Sequence, residues 1–157
     1  MDRSDKTTAL EISREQKEKL IEQAFQALPR AYAPYSHFHV AAALLCRDGE
    51  IYMGCNVENA SYPAGICAER SAFSAAVSSG KRQFDAIAIV GGKDGKAQDY
   101  CAPCGICRQV MREFGPSGRI FDSVSQVAFR IQGVHLKPAS AGELRAGESG
   151  NGLAQIF

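Results

Sequence analysis

The chain has 157 residues, an apolar fraction of 45% and a formal charge of +1. That length and composition predict one compact domain, residues 1–157, with enough apolar side chains for a core. The near-neutral charge sets up no global field for nucleic acid or an anionic membrane surface. No run reaches the roughly 20 apolar residues of a membrane span.

Residues 1–12 are polar and are expected to fray. Ser13 and Gln16 form an S-x-x-Q capping box, and Leu20, Ala24, Phe25 and Leu28 recur at helical spacing. A helix is predicted from about 14 to 28, ended near Pro29. The stretch Ala31 to His37 contains Pro34 and reads as a loop. Phe38 to Cys46 and Ile51 to Val57 are β-compatible runs around the turn Arg47-Asp48-Gly49-Glu50, a hairpin pattern. On the second strand, period-two alternation would put Asn56 and Glu58 on one face. Asn59 to Gly65 is a loop containing Tyr62-Pro63. Cys67 to Ser79 is helical, with Gly80 as its C′ residue. Phe84 to Val90 is a buried strand that Gly91-Gly92 is expected to end. A polar loop from Lys93 to Tyr100 leads to a helix over Cys104 to Phe114, closed by Gly115-Pro116.

Beyond it, Arg119 to Phe121 and Val127 to Ile131 are weaker strands, and 141–145 suggests a helical turn. The chain ends in an apolar run, Leu153 to Phe157. This order of elements predicts an α/β fold, with helices beside a sheet of about five strands and at least one parallel crossover.

The six cysteines are Cys46, Cys55, Cys67, Cys101, Cys104 and Cys107. An even count is compatible with disulfides. The first 25 residues, however, are rich in charge and hold no apolar stretch of signal-peptide length. A reducing cytoplasm is the expected compartment, where clustered thiols point to metal or catalysis.

Cys67 stands at one predicted helix start, and Cys104 and Cys107 at another. There the backbone N–H groups and the helix dipole favour thiolates. Cys104 and Cys107 are three apart and share a face of the first turn. Three thiolates leave one position open on a four-coordinate zinc, which suits a bound water. Glu69, two residues after Cys67, can reach that water without ligating the metal. Three thiolates on Zn²⁺ leave a net charge of −1, and Arg70, one turn after Cys67, is placed to offset it from outside the ligand set. This is the outline of a hydrolytic zinc centre of the kind found in zinc deaminases.

Blander readings accompany each residue. Cys104-x-x-Cys107 alone also suits a redox pair or a closed structural zinc knuckle. Cys101 would be the fourth thiolate of such a knuckle, and Cys101-Ala102-Pro103-Cys104 is itself a redox-like pair. Cys46, Cys55 and Cys101 read equally as small structural residues. Phe38 opens an apolar strand and suits a core role, and Tyr62 suits a turn.

Three motifs, Cys67-Ala68-Glu69-Arg70, Pro103-Cys104-Gly105-Ile106-Cys107-Arg108-Gln109 and Gly54-Cys55-Asn56-Val57-Glu58-Asn59-Ala60, resemble the small homotetrameric cytidine deaminases. Pro34-Tyr35-Ser36-His37-Phe38 is similar to the N-terminal signature of that family. The resemblance implies a three-layer α-β-α fold with a mixed sheet. It implies one zinc per chain on Cys67, Cys104 and Cys107, and zinc hydroxide attacking C4 of the pyrimidine. Glu69 would shuttle protons, and cytidine or deoxycytidine would yield the uridine nucleoside and ammonia, a step of pyrimidine salvage. It further implies that Asn56 and Glu58 bind the ribose, Phe38 packs on the base and the Ala68 backbone meets the pyrimidine amide edge. Neighbouring subunits of a homotetramer would carry Tyr62 and a C-terminal aromatic, here Phe157. The chain departs from the pattern at His39, where the family has proline, and at Ala41, where glycine is common. The segment 134–152 has no family counterpart.

A free-nucleoside deaminase is therefore the leading expectation. A blasticidin-type aminonucleoside keeps the same chemistry. A nucleotide would need cations at the sugar end, where Glu58 stands instead. A nucleic-acid editor would need a basic track and stacking platforms, and the chain has no tryptophan and a charge of +1. A non-catalytic zinc or redox module is the reading from a different class, and it predicts no dependence on Glu69.

Overall fold

A computed structural model describes residues 12–114 and the backbone of 154–156. The expected strands at 119–121 and 127–131, the turn at 141–145 and Phe157 lie outside the described residues.

Helix α1 (Arg14–Ala27) begins as its sequence dictates. The Ser13 hydroxyl accepts from the Gln16 N–H at 3.1 Å, and the Gln16 side chain accepts from the Ser13 N–H at 2.8 Å. Pro29 does not stop the chain outright. It sits in a short 3₁₀ turn, Leu28–Arg30, that extends the helix by one tight turn. Strands β1 (Phe38–Cys46) and β2 (Ile51–Cys55) form the expected hairpin, with Ala41 opposite Cys55 and Leu45 opposite Ile51. Helix α2 (Ala68–Ser78) leads to β3 (Phe84–Lys93), helix α3 (Gly105–Phe114) follows, and the short β4 is Ala154–Ile156.

The sheet order is β2-β1-β3-β4. Among the described residues it has four strands, and each pairing of its ladder is antiparallel; two of the strands expected for a mixed sheet of about five lie outside those residues. The expected crossover is present in another form. Strands β2 and β3 run the same way with α2 between them in sequence, but β1 separates them in the sheet.

Alternation along β1 and β3 divides the core into two. Ala41, Ala43, Leu45, Ala86, Ala88 and Val90 face α1. Ala42, Leu44, Cys46, Ile87 and Ile89 face the side of α2 and α3, where Phe73, Phe84 and Phe114 pack ring to ring. With α1 on one face and α2 and α3 on the other, the molecule has three layers. Ala41 is fully buried in the α1 layer.

Two expectations on β3 and β2 are corrected. Gly91-Gly92 does not end β3, which continues to Lys93 with Val40 opposite Gly91 and His39 opposite Gly92. These glycines permit close approach inside a strand. A Cβ at Gly91 would sit 2.7 Å from the Cys101 Sγ, and one at Gly92 would sit 1.8 Å from the Lys96 carbonyl oxygen. The segment after β3 can fold back onto the sheet only because neither residue has a side chain. Strand β2, in turn, ends at Cys55 and not at Val57. Beyond it the Asn56 N–H still donates to the Val40 carbonyl at 3.0 Å, and its side chain adds to the pairing, accepting from the Val40 N–H at 2.9 Å and donating to the Phe38 carbonyl at 2.8 Å.

Candidate metal centre and its cavity

Both thiol clusters stand at helix starts. Cys67 is the N-cap of α2, with extended backbone angles (φ −75°, ψ 155°). Cys104 immediately precedes α3, and its Sγ accepts from the Cys107 N–H at 3.5 Å. The Sγ atoms of Cys67, Cys104 and Cys107 lie within 4.8 Å of one another, and the first two are 3.8 Å apart. Two thiolates on a tetrahedral zinc, each bonded at about 2.3 Å, would be separated by roughly 3.8 Å. The spacing therefore fits zinc.

Charge and protonation agree with that fit. The Cys67 thiol is held well below its ordinary value, first by a hydrogen bond from Cys107, with Arg70 and Cys104 adding to it. Cys107 is pushed up by the same bond to Cys67 and by burial. Binding of a cation here would displace thiol protons. The Arg70 Nη2 donates toward the Cys67 Sγ at 3.9 Å and the Gly65 carbonyl at 3.4 Å, while its Nε is buried without a hydrogen-bond partner. The guanidinium is held against the thiols, as the excess negative charge of a three-thiolate site requires.

Cys101 does not join them. Among the described residues, the group of potential ligands is Cys67, Cys104 and Cys107 alone. The Cys101 thiol donates to the Asp99 carbonyl at 3.6 Å, and burial pushes it up to about 12. Three protein ligands without a fourth make an open centre rather than a closed knuckle. Cys46 is buried in the core, and Cys55 donates to the Arg30 carbonyl at 3.4 Å.

Glu69 lies in the first turn of α2 and is 5% exposed. Burial pushes its carboxyl above the ordinary range, and the Cys67 thiolate raises it further. It lines a cavity of about 730 Å³, within the range of small-ligand sites. Phe38, Asn56, Glu58, Ala68 and Tyr62 line the same cavity, so the structure gathers the expected residues around one space. Tyr62 stands 85% exposed at its edge. Phe157 lies outside the described residues.

Asn56 and Glu58 lie just past β2, on either side of Val57, which is bridged to Tyr32 and Ile66, and both line the cavity. The Tyr32 N–H donates to the Asn56 carbonyl at 3.0 Å, and the Glu58 N–H donates to the Tyr32 carbonyl at 2.8 Å, which turns this stretch toward the loop before β1. Sequence reasoning missed Ser36, Tyr100 and Ile66, which also line the cavity. Only Ser36 left a signal, its place in the motif before Phe38.

Comparison with known proteins now bears on this geometry. Residues 14–122 match the family model described as the cytidine and deoxycytidylate deaminase zinc-binding region. The chain belongs to that family. The deaminase is 53% identical over 97 residues to a cytidine deaminase of Sporosarcina psychrophila, covering 62% of this chain and 68% of that relative. A crystal structure of cytidine deaminase from Burkholderia pseudomallei is 49% identical with a TM-score of 0.55, over 64% of this chain and 75% of that one. One from Mycobacterium tuberculosis is 44% identical with a TM-score of 0.57, over 63% and 77%. The molecule is therefore an enzyme, a zinc deaminase, and its three clustered thiols could hold the metal.

Proposed function

We propose that this enzyme hydrolytically deaminates free cytidine and deoxycytidine, with Cys67, Cys104 and Cys107 holding zinc and Glu69 moving the protons. Bound zinc supplies a Lewis acid that acidifies water at the open position. The remaining chemistry belongs to the chain's own side chains. Glu69, buried beside the thiols, holds a proton more firmly than an exposed carboxyl. It carries one proton of the attacking water to the ring nitrogen and the second to the departing amino group, so that the C4 carbonyl forms and ammonia leaves neutral. The Ala68 backbone receives the amide edge of the pyrimidine, and Phe38 walls the base. Asn56 and Glu58 take the sugar.

The single observation that carries this reading is the cluster of three thiols, of which Cys67 and Cys104 line the cavity together with the buried Glu69. Substrate charge follows from the lining. Among the described residues, Arg70 is the cation that lines the cavity, and it is engaged with the thiols and the Gly65 carbonyl. With Glu58 at the sugar end, a free nucleoside fits and a phosphate is opposed.

The reading also requires a reducing compartment, because free thiols hold the metal. No helix among the described residues is long and apolar enough to cross a membrane. A homotetramer completes the proposal, with the exposed Tyr62 and Phe157 contributed to neighbouring sites.

The test is the ultraviolet change of cytidine on conversion, measured with ammonia release and metal content. Glu69→Gln is expected to keep about one zinc per chain and lose turnover by about 10²–10⁴, the usual worth of a positioned acid–base group. Near-normal turnover in that variant would remove Glu69 from the reaction.

A further inference from the structure

Glu58 is held by the loop before β1. Its Oε2 accepts from the N–H groups of Tyr35 at 2.9 Å and Ser36 at 3.2 Å. Its Oε1 accepts from the Ser36 hydroxyl. An ionised carboxylate offers about four acceptor positions, two on each oxygen. Oε2 is filled by two backbone donors, and Oε1 has one position taken and one open. A donor from a ligand therefore has one place to go, and the Ser36 hydroxyl decides which way that place faces. The Glu58 carboxyl lies below its ordinary range, first because of the Ser36 hydroxyl, so it stays an acceptor.

Ser36 does a second thing with the same oxygen. Its Oγ accepts from the Phe38 N–H at 3.0 Å. The Phe38 carbonyl in turn accepts from the Asn56 Nδ2 at 2.8 Å. A chain of hydrogen bonds thus runs from Glu58 through Ser36 and the Phe38 backbone to Asn56. Three residues that line the cavity from two stretches of sequence, Phe38 on one and Asn56 and Glu58 on the other, are linked through one hydroxyl.

From this we infer that Ser36 is a positioning residue for sugar recognition. It aims the open acceptor of Glu58 at a ring hydroxyl of the substrate and ties that carboxylate to the backbone that carries Phe38. The inference rests on the reading that Glu58 binds the sugar.

The test compares cytidine with 2′,3′-dideoxycytidine, which keeps the base and lacks both ring hydroxyls, in the zinc-loaded wild type, Ser36→Ala and Ser36→Thr. In the wild type, kcat/KM favours cytidine. In Ser36→Ala that preference falls about tenfold, the lower end of what a hydrogen bond to a charged group is worth, and it falls through KM for cytidine. Ser36→Thr, which keeps the hydroxyl, restores the preference. Thermal unfolding and zinc content, measured on the same samples, establish that each variant is folded and loaded. If Ser36→Ala lowers kcat/KM for both substrates equally while the wild type prefers cytidine, Ser36 is only structural and the inference fails alone. If the wild type itself shows no preference, sugar recognition by Glu58 fails, and the inference with it. Survival of the full preference in Ser36→Ala also overturns it.

Discussion

Gly54 lies on β2 where the sheet meets α2, and replacing it by alanine tests how the metal centre is held. A Cβ at this position would stand 2.3 Å from the Ala72 amide nitrogen, 2.5 Å from the Ala68 carbonyl oxygen and 2.9 Å from the Ala72 Cα. All three are backbone atoms, so no side-chain rotation relieves the contact. Ordinary contact begins near 3.4 Å, so helix and strand must separate by about 1 Å. The helix that would move carries Cys67 as its N-cap and Glu69 in its first turn.

Overpacking of this kind costs about 2 kcal/mol, which for a protein of this size lowers Tm by ~4–8 °C. The larger effect is expected on turnover. A misplacement of about 1 Å at a reacting group costs on the order of 10²-fold. Gly54→Ala should therefore lose about 10²-fold in kcat/KM for cytidine and remain folded at 25 °C. Gly49→Ala is the control. Gly49 sits in the hairpin turn at φ +92° with nothing near its missing Cβ, so alanine strains the turn without displacing α2. Its Tm should fall and its turnover should stay. A Gly54→Ala enzyme with wild-type turnover and Tm would mean that α2 is not pinned through this contact.

Two further outcomes follow from the packing and the surface charge. Phe73 is buried between Phe84, edge-on at 5.1 Å, and Phe114, stacked at 5.4 Å, so Phe73→Ala should destabilise the fold by about 3–5 kcal/mol in denaturant unfolding. Lys81 bridges Asp48 and Glu50 and holds both carboxyls below their ordinary range. Their contribution is present above the ordinary carboxylate range and lost as pH falls through the lowered values, so melting curves of Lys81→Met and wild type should differ at pH 7 and converge toward pH 3.

Local rules carried most of the architecture. The capping box of α1, the bounds of β1 and the helix starts at Cys67 and Cys104 are all features a few neighbouring residues specify. What sequence did not show is whatever depends on a distant partner. Gly91-Gly92 looks like a strand stop, because glycine weakens strands in isolation. It is part of β3, because the chain from Lys96 to Cys101 must lie against that surface. A parallel crossover was expected from the helix between β2 and β3. Nothing local says that β1 lies between those two strands.

The site divides along the same line. The thiols and Glu69 were legible because metal chemistry restricts residue types and because helix starts fix their spacing. Asn56 and Glu58 lie past the end of β2 but flank the bridged Val57, and both line the cavity as period-two alternation expects. Past β2 the Asn56 side chain bonds the Val40 N–H and the Phe38 carbonyl, and the backbone pairing with Tyr32 brings Glu58 to residues 35 and 36. What the residue string did not show is that the Asn56 side chain also bonds β1. Ser36 could not be singled out for the same reason. A serine in a loop is unremarkable until the carboxylate 22 residues away is known to accept from its hydroxyl.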